Sequence, residues 1–296
     1  VDLIRDIYAA KREAGKPAIS FEFFPPKTPE GDRALFEKTL PALARLEPDF
    51  CSVTYGAGGS TRDKTLGIVE RIQREFRLTT LAHLTCVGST REEIGALLDR
   101  IKALGCRNIL ALRGDPPGGG EFKAVPGGFH FAAGLVRFIR ERGDFSIGVA
   151  GFPEGHPACG ADRAANWDHL RAKIDAGADF VITQLFFDNA DFLAMRDHLV
   201  RHGVTVPLVP GIIPILSNSQ IQKFTSLGGA KIPSALQQKL DELGADDEAV
   251  AAYGIKYAST QCAELLKAGA PGIHFYPLNK AAAVTQILQN LGLARG

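Results

Sequence analysis

The chain has 296 residues, with 34 basic and 33 acidic side chains and a formal net charge of +1. Hydrophobic residues make up 45% and charged residues 23%, ordinary globular values that exclude a disordered chain. The near-neutral balance offers no field to draw nucleic acid or an anionic membrane surface, and no apolar run approaches the ~20 residues that span a bilayer.

The chain does not open on a basic region followed by an apolar stretch, so no signal peptide is expected. Five cysteines (Cys51, Cys86, Cys106, Cys159 and Cys262) include no C-x-x-C pair, and three sit in apolar, strand-like contexts. They read as buried thiols in a reducing cytoplasm, not as a disulfide frame or a zinc site. Gly and Pro, 32 and 17 residues, cluster between regular segments, which points to many tight loops.

In chain order, short β-rich runs cover 18–24, 50–55, 80–86, 108–113, 146–150, 180–186, 206–211 and 272–276. Amphipathic stretches of period 3.6 lie near 31–46, 62–77, 90–104, 130–142, 162–176, 189–202, 217–227, 233–243, 247–268 and 279–291. Strands alternating with helices argue for a parallel sheet. Eight such units in this length argue for an α/β fold of the (β/α)8 TIM-barrel type, in one domain over residues 1–296. Extra helix between Gln220 and Lys267 enlarges the seventh unit. The alternative, an open doubly wound sheet, needs a dinucleotide fingerprint. The loop Gly56-Ala57-Gly58-Gly59-Ser60-Thr61 has Thr61 where the last Gly belongs, and it lacks a P-loop Lys.

A barrel of this kind works at the C-terminal ends of its strands. The polar residues there are Glu22, Thr54, Tyr55, His83, Thr85, Arg113, Asp115, His156, Thr183, Gln184, Tyr276 and Asn279. Glu22 stands among Phe21, Phe23 and Phe24. Burial there would raise its pKa and suit a general acid, whereas a solvent-facing side chain would make it an ordinary surface Glu. Arg113-Gly114-Asp115-Pro116-Pro117-Gly118 is either a close backbone approach to a flat ligand or a plain turn with an ion pair. His83, Asp115 and His156 lack metal-ligand spacing, so no metal is expected. His198 and His202 lie four apart at a helix C-terminus, where they complement the dipole. Phe224, four residues after Gln220, is either core or a stacking surface for an aromatic ligand.

Taken in order, several segments resemble the methylenetetrahydrofolate reductase family in its short bacterial-type catalytic barrel. They are Ser20-Phe21-Glu22-Phe23-Phe24-Pro25-Pro26-Lys27, Ser52-Val53-Thr54-Tyr55-Gly56-Ala57-Gly58-Gly59-Ser60, Ala82-His83-Leu84-Thr85-Cys86 and Leu110-Ala111-Leu112-Arg113-Gly114-Asp115-Pro116-Pro117. Further on come Asp175-Ala176-Gly177-Ala178-Asp179, Thr183-Gln184-Leu185-Phe186-Phe187-Asp188, Val209-Pro210-Gly211-Ile212 and Gly272-Ile273-His274-Phe275-Tyr276-Pro277-Leu278-Asn279.

The resemblance implies a FAD-bound barrel that reduces 5,10-methylenetetrahydrofolate to 5-methyltetrahydrofolate, with NADH or NADPH reducing the flavin in a separate half-reaction. It implies Glu22 as the general acid and Asp115 as a carboxylate beside the flavin and pterin rings. Thr54, Tyr55, Ala57, His83, Arg113, Gly114, Asp115, Phe131, Ala132, Phe152, His156, Asn166, His169 and Lys173 match FAD-lining positions, with Arg113 and Lys173 as partners for its diphosphate. Glu22, Asp115, Gln184, Gln220, Phe224, Tyr276 and Lys280 match the substrate site. Phe131 and Phe152 stand where Tyr is frequent, Asn166 where Asp is frequent, Pro277 where Thr or Ser is usual and Lys280 where Arg is usual. The last exchanges a bidentate fork for a point charge. The resemblance also implies a homo-oligomer, and no regulatory domain is expected after the barrel. A non-catalytic flavin or folate binder and a metal-assisted barrel enzyme remain as other readings.

Overall fold

The structure is a computed structural model that describes residues 2–55, 62–116, 120, 122–156, 160 and 162–294, with only the backbone at 226–228. Ala57 and Cys159 lie outside the described residues. Nine parallel strand segments follow one another around a ring: β1 (Ala18–Phe23), β2 (Phe50–Val53), β3 (Thr80–Thr85), β4 (Asn108–Leu112), β5 (Ser146–Gly151), β6 (Phe180–Thr183), β7 (Leu208–Val209), β8 (Gly211–Ile212) and β9 (Gly272–Phe275). β1 pairs with both β2 and β9, β7 pairs with β6, and β8 pairs with β9.

β7 and β8 are two halves of the seventh stave, split at Pro210, which has no N–H to give the ladder. The stave is re-tied by side chains. The Gly211 N–H donates to Thr183 Oγ1 at 2.9 Å, and Tyr276 Oη donates to the Thr183 carbonyl at 2.6 Å. A Cβ on Gly211 would lie 2.2 Å from that carbonyl oxygen and 2.6 Å from Tyr276 Oη, so the close approach requires glycine.

The strands alternate faces. On β1, Ile19, Phe21 and Phe23 face the helix layer, in a cluster with residues such as Leu40, Val69, Ile287 and Leu288. Ala18, by contrast, belongs to an inner cluster with Phe50, Leu81, Leu110, Phe180, Ile182 and Val209. Gly148 leaves room there, since a Cβ would meet the Phe180 ring at 2.5 Å.

One helix lies outside the expected set. α1 (Ile4–Glu13) sends Ile4 and Tyr8, four residues apart on one face, into that inner cluster. Tyr8 packs on Phe50 and Phe180 with ring centroids 6.1 and 5.7 Å away, and the Ile4 N–H donates to Asn108 Oδ1 at 2.9 Å. Burying a side chain such as Ile4 contributes about 1.5–3 kcal/mol.

The remaining helices follow the strands. α2 (Pro29–Ala34) runs through a π-helical turn at Leu35–Thr39 into α3 (Leu40–Ala44). Then come α4 (Arg62–Phe76), α5 (Arg91–Ala103), α6 (Ala132–Glu141), α7 (Arg163–Asp175), α8 (Asn189–Arg201), α9 (Asn218–Gly228), α10 (Ser234–Leu243), α11 (Asp247–Lys267) and α12 (Ala282–Asn290). α9, α10 and α11 form the enlarged seventh unit. Several helices start on side-chain caps: Thr90 with Glu93 in a capping box, Asp162, Asp188, Ser217 and Asp246. The eighth helix begins later than the periodicity suggests, because Leu278 and Asn279 take left-handed φ angles of 52° and 57°. Cys51, Cys86, Cys106 and Cys262 are buried free thiols. Among the described residues no helix is long and apolar enough to cross a membrane.

Candidate active site

The inward positions near the C-terminal end of the barrel are polar where the layer below is apolar. Glu22 on β1, Ser52 on β2, His83 on β3 and His274 on β9 are all buried. Their side chains converge on one atom, Glu22 Oε2. Ser52 Oγ donates to it at 3.2 Å, His83 Nε2 lies 3.3 Å away and His274 Nε2 lies 3.5 Å away. The His83 contact is off hydrogen-bond geometry, which leaves that nitrogen without a hydrogen-bond partner. His274 is held from below, its Nδ1 2.7 Å from Ser20 Oγ, and its ring stacks on Phe50 with centroids 6.1 Å apart.

This environment corrects the expectation for Glu22. Burial does push its pKa up, but the charge of His83, hydrogen bonding with His274, the close approach of His83 Nε2 and the charge of His274 all push it down. The net result is a carboxyl at about 2. The phenylalanines alone would give the opposite sign. The Tyr276 ring packs edge-on against His274 at 5.3 Å, and its hydroxyl pKa is raised by burial and then by the Glu22 charge.

A second group forms on the loops after β4 and β5 and on α7. Lys173 Nζ donates to the Ala150 carbonyl at 2.5 Å, and burial alone pushes its pKa down to about 8. His156 is lowered by burial and by the charges of Arg113 and Lys173, partly offset by Asp115. So Arg113 and Lys173 both lie within electrostatic reach of His156, a cationic corner at the barrel rim whose charge comes from the guanidinium and the ammonium. The Arg113 guanidinium lies 5.0 Å from the Phe122 ring centroid. Asp115 is exposed beside this corner. Asn166 is buried on α7 and His169 is exposed there, at helical spacings from Lys173 that put all three along one side of the helix. Phe152 packs edge-on against His156 at 4.7 Å. Phe131, just before α6, is 71% exposed, with Ala132 beginning the helix. The Tyr55 hydroxyl accepts from Arg62 Nε at 2.7 Å, and Thr54 is tied to β1 through its N–H to the Phe23 carbonyl at 2.9 Å.

These residues suit a flavin dinucleotide. Thr85 Oγ1 is buried at the end of β3 with no hydrogen-bond partner, and the cationic corner has the charge for a diphosphate. Gly114 keeps the β4 loop close to β3: with φ of 81°, a Cβ there would meet Val87 Cγ1 at 2.6 Å.

Of the expected substrate residues, Gln184 follows β6, Gln220 and Phe224 lie on α9, and Tyr276 and Lys280 follow β9. Phe224 is half-buried against a cluster containing Leu185, Ile213 and Ile221, which Tyr276 and Leu278 also join. The Gln184 side chain turns back to accept the Leu185 N–H at 2.9 Å. Gln220 Oε1 accepts the Leu216 N–H at 2.8 Å, while its Nε2 donates to the Pro214 carbonyl at 3.2 Å. Tyr276 Oη is engaged with Thr183, and Lys280 is exposed.

Sequence reasoning missed Ser20, Ser52 and His274 as members of the acid's surroundings. The available signal was alternation: each is a polar residue at an inward strand position. It also missed Asn279 as a clamp. Asn279 Oδ1 accepts the Phe24 N–H at 3.1 Å and its Nδ2 donates to the Phe24 carbonyl at 2.8 Å, which fixes the chain two residues beyond Glu22.

The methylenetetrahydrofolate reductase family model matches residues 7–292. A relative named methylenetetrahydrofolate reductase (NADH) 1 from Arabidopsis thaliana is 42% identical, covering 99% of this chain and 50% of the plant protein. The 5,10-methylenetetrahydrofolate reductase of Escherichia coli is 37% identical, covering 95% of this chain and 93% of the bacterial one. The chain thus spans about half the length of the plant relatives it matches. Among solved structures, a Clostridium thermocellum protein described as binding two copies of 5-methyltetrahydrofolic acid covers 98% of this chain and 97% of its own at a TM-score of 0.66 and 18% identity, a likeness of fold. On the family match and these identities, the chain belongs to the methylenetetrahydrofolate reductase family.

Proposed function

We propose that the protein reduces 5,10-methylenetetrahydrofolate to 5-methyltetrahydrofolate, using FAD and a reduced nicotinamide, NADH or NADPH, in two separate half-reactions. The observation that carries this reading is a buried carboxyl-imidazole group, Glu22 with His83 and His274, at the mouth of a barrel of this family.

Arg113 and Lys173 would hold the diphosphate, with His156 beside them. Thr54, Tyr55, His83, Gly114, Ala132, Phe152, Asn166 and His169 would line the cofactor, and the exposed Phe131 ring would offer a flat apolar surface. Bound FAD would supply the two-electron chemistry, accepting hydride from the nicotinamide and delivering it to the folate.

The chain's own residues manage the proton and the charge. Opening the bridging ring of the folate to an iminium cation requires a proton, and Glu22 is the carboxyl placed to deliver it, in a site screened from water. Asp115 places negative charge at the rim, which stabilises a cation formed there. Phe224 and Tyr276 offer the aromatic wall of a site that takes pterin and nicotinamide in turn. Gln184, Gln220 and Lys280 stand where polar contacts to the folate are expected. For the amides this means exchanging their present bonds to Leu185, Leu216 and Pro214 for bonds to substrate.

The test is a pair of stopped-flow half-reactions on protein loaded with FAD. NADH or NADPH should bleach the flavin absorbance, and methylenetetrahydrofolate should restore it. A protein that binds FAD but transfers no electrons to the folate would leave only a binding role. One that cannot be loaded with FAD would remove the proposal altogether.

A further inference from the structure

Away from the barrel mouth, α7 and α8 bring three potential ligands together. Asp168 on α7, His198 on α8 and His202, the residue that caps the end of α8, each present a ligand atom within 4.8 Å of the other two. We propose that these three residues form a transition-metal site of the zinc class that bridges α7 to α8.

Three features favour a ligand set over a pair of dipole-complementing histidines. First, His198 and His202 are four residues apart, so their rings share one face of α8, with centroids 4.4 Å apart. Second, the third donor comes from another helix: Asp168 Oδ1 lies 3.3 Å from His198 Nε2, about the ligand-to-ligand spacing of tetrahedral zinc with bonds of roughly 2.0–2.1 Å. Third, His202 is already oriented. Its Nδ1 is 2.7 Å from the His198 carbonyl, an acceptor only, so Nδ1 carries the hydrogen and the Nε2 lone pair is left for a metal. That backbone bond is the one that ligating histidines commonly make with their other nitrogen. Two imidazoles and a carboxylate suit Zn²⁺, with water completing the set, and bind Cu²⁺ more tightly still. Arg171, 3.8 Å from Asp168 Oδ1, is the cation the metal would displace.

The site contains its own reporter. Trp167, the single tryptophan of the chain, is buried with its ring 5.4 Å from that of His198. Cu²⁺ bound at His198 should quench it.

The experiment uses untagged protein stripped with a chelator. Zn²⁺ is titrated against a chromophoric chelator, and Cu²⁺ is followed by Trp167 fluorescence. The expected result is one equivalent of Zn²⁺ per chain, saturable quenching by one equivalent of Cu²⁺, and a higher melting temperature with Zn²⁺ present. His202→Ala and Asp168→Asn should each weaken binding by at least about tenfold and abolish the thermal shift. His130→Ala, an exposed histidine elsewhere, should change nothing. His202 is exposed, so its variant should melt like the parent without metal; if it does not, Asp168→Asn carries the comparison. Absence of saturable binding, or binding that survives both substitutions, would overturn the proposal.

Discussion

Lys173 offers a direct test of the proposed cofactor site, because its charge would serve a diphosphate and burial works against that charge. With its pKa pushed down to about 8, the ammonium is ~90% populated at pH 7 and ~10% at pH 9. A bound diphosphate would restore the pKa toward its ordinary value, so FAD binding should take up nearly one proton at pH 9 and almost none at pH 7. The dissociation constant should therefore rise about tenfold between these two pH values. Arg113 stays charged through this window, and the His156 imidazole, held below its ordinary value by burial and by Arg113, loses its charge below it. The assay is fluorescence titration of apoprotein with FAD at constant ionic strength, with calorimetry in two buffers of different ionisation heat to count protons. Lys173→Met should flatten the pH dependence and cost roughly 1.5–3 kcal/mol of FAD affinity at pH 7, the range of a hydrogen bond to a charged group. Lys173→Arg should flatten it while retaining affinity. A flat parental curve would refute the reasoning, as would a tenfold rise that persists in Lys173→Met.

Other predictions bear on the acid and on the loops. Glu22→Gln should keep FAD and its reduction by nicotinamide while slowing folate reduction by roughly 10²–10⁴-fold; equal losses in both half-reactions, measured by stopped flow, would remove the acid role. Because the Glu22 pKa is lowered on folding, its contribution to stability is fully present above the unfolded value near 4.5 and is lost as the pH falls toward 2. Urea midpoints between pH 7 and pH 3 should therefore fall less steeply for Glu22→Gln than for the parent. His274→Ala removes a fully buried imidazole from Ser20, Ser52 and Glu22, and should destabilise by about 2–4 kcal/mol in denaturant unfolding. Gly114→Ala meets both a left-handed φ and the Val87 and Thr85 side chains, so a loss of about 1–3 kcal/mol with weakened FAD binding is expected. An unchanged melting temperature would show that the β4 loop can relax.

The barrel was legible because each strand is short, β-rich and punctuated, so the hydrophobic period marks the layers directly. Two features were not. The split of the seventh stave depends on Pro210 being bridged by Thr183 and Tyr276, a contact between staves that no local window contains. α1 looks like any amphipathic turn until Tyr8 is seen between Phe50 and Phe180. At the site, Glu22, Asp115 and the cofactor positions were marked by a run of ordered segments resembling one family. The sign of the Glu22 shift was hidden, because it depends on His83, on another stave, and on His274, which lies 252 residues along the chain. The same holds for Asn279, whose clamp on Phe24 spans 255 residues. Asp168 and the α8 histidines likewise meet only when two helices pack.

The burial of Glu22 beside two histidines has a chemical consequence that a lone buried carboxyl would lack. Ionising an isolated carboxylate in an apolar site costs several kcal/mol, so such an acid would hold its proton too firmly to give it up readily. In the Glu22 group the charges of His83 and His274, whose Nε2 atoms lie 3.3 and 3.5 Å from Oε2, outweigh that burial cost, so Glu22 gives up its proton readily and its carboxylate is stabilised. Ser52 donates to the carboxylate when it is ionised, and Ser20 meets the far nitrogen of His274, so the arrangement that leaves Glu22 as the anion keeps its partners. Because all of these residues except His83 lie on three adjacent staves, β9, β1 and β2, their spacing is set by the sheet register and not by the loops that admit a ligand. A substrate change at the rim can therefore alternate between a half-reaction that needs a proton and one that does not, while the geometry of the donor stays fixed.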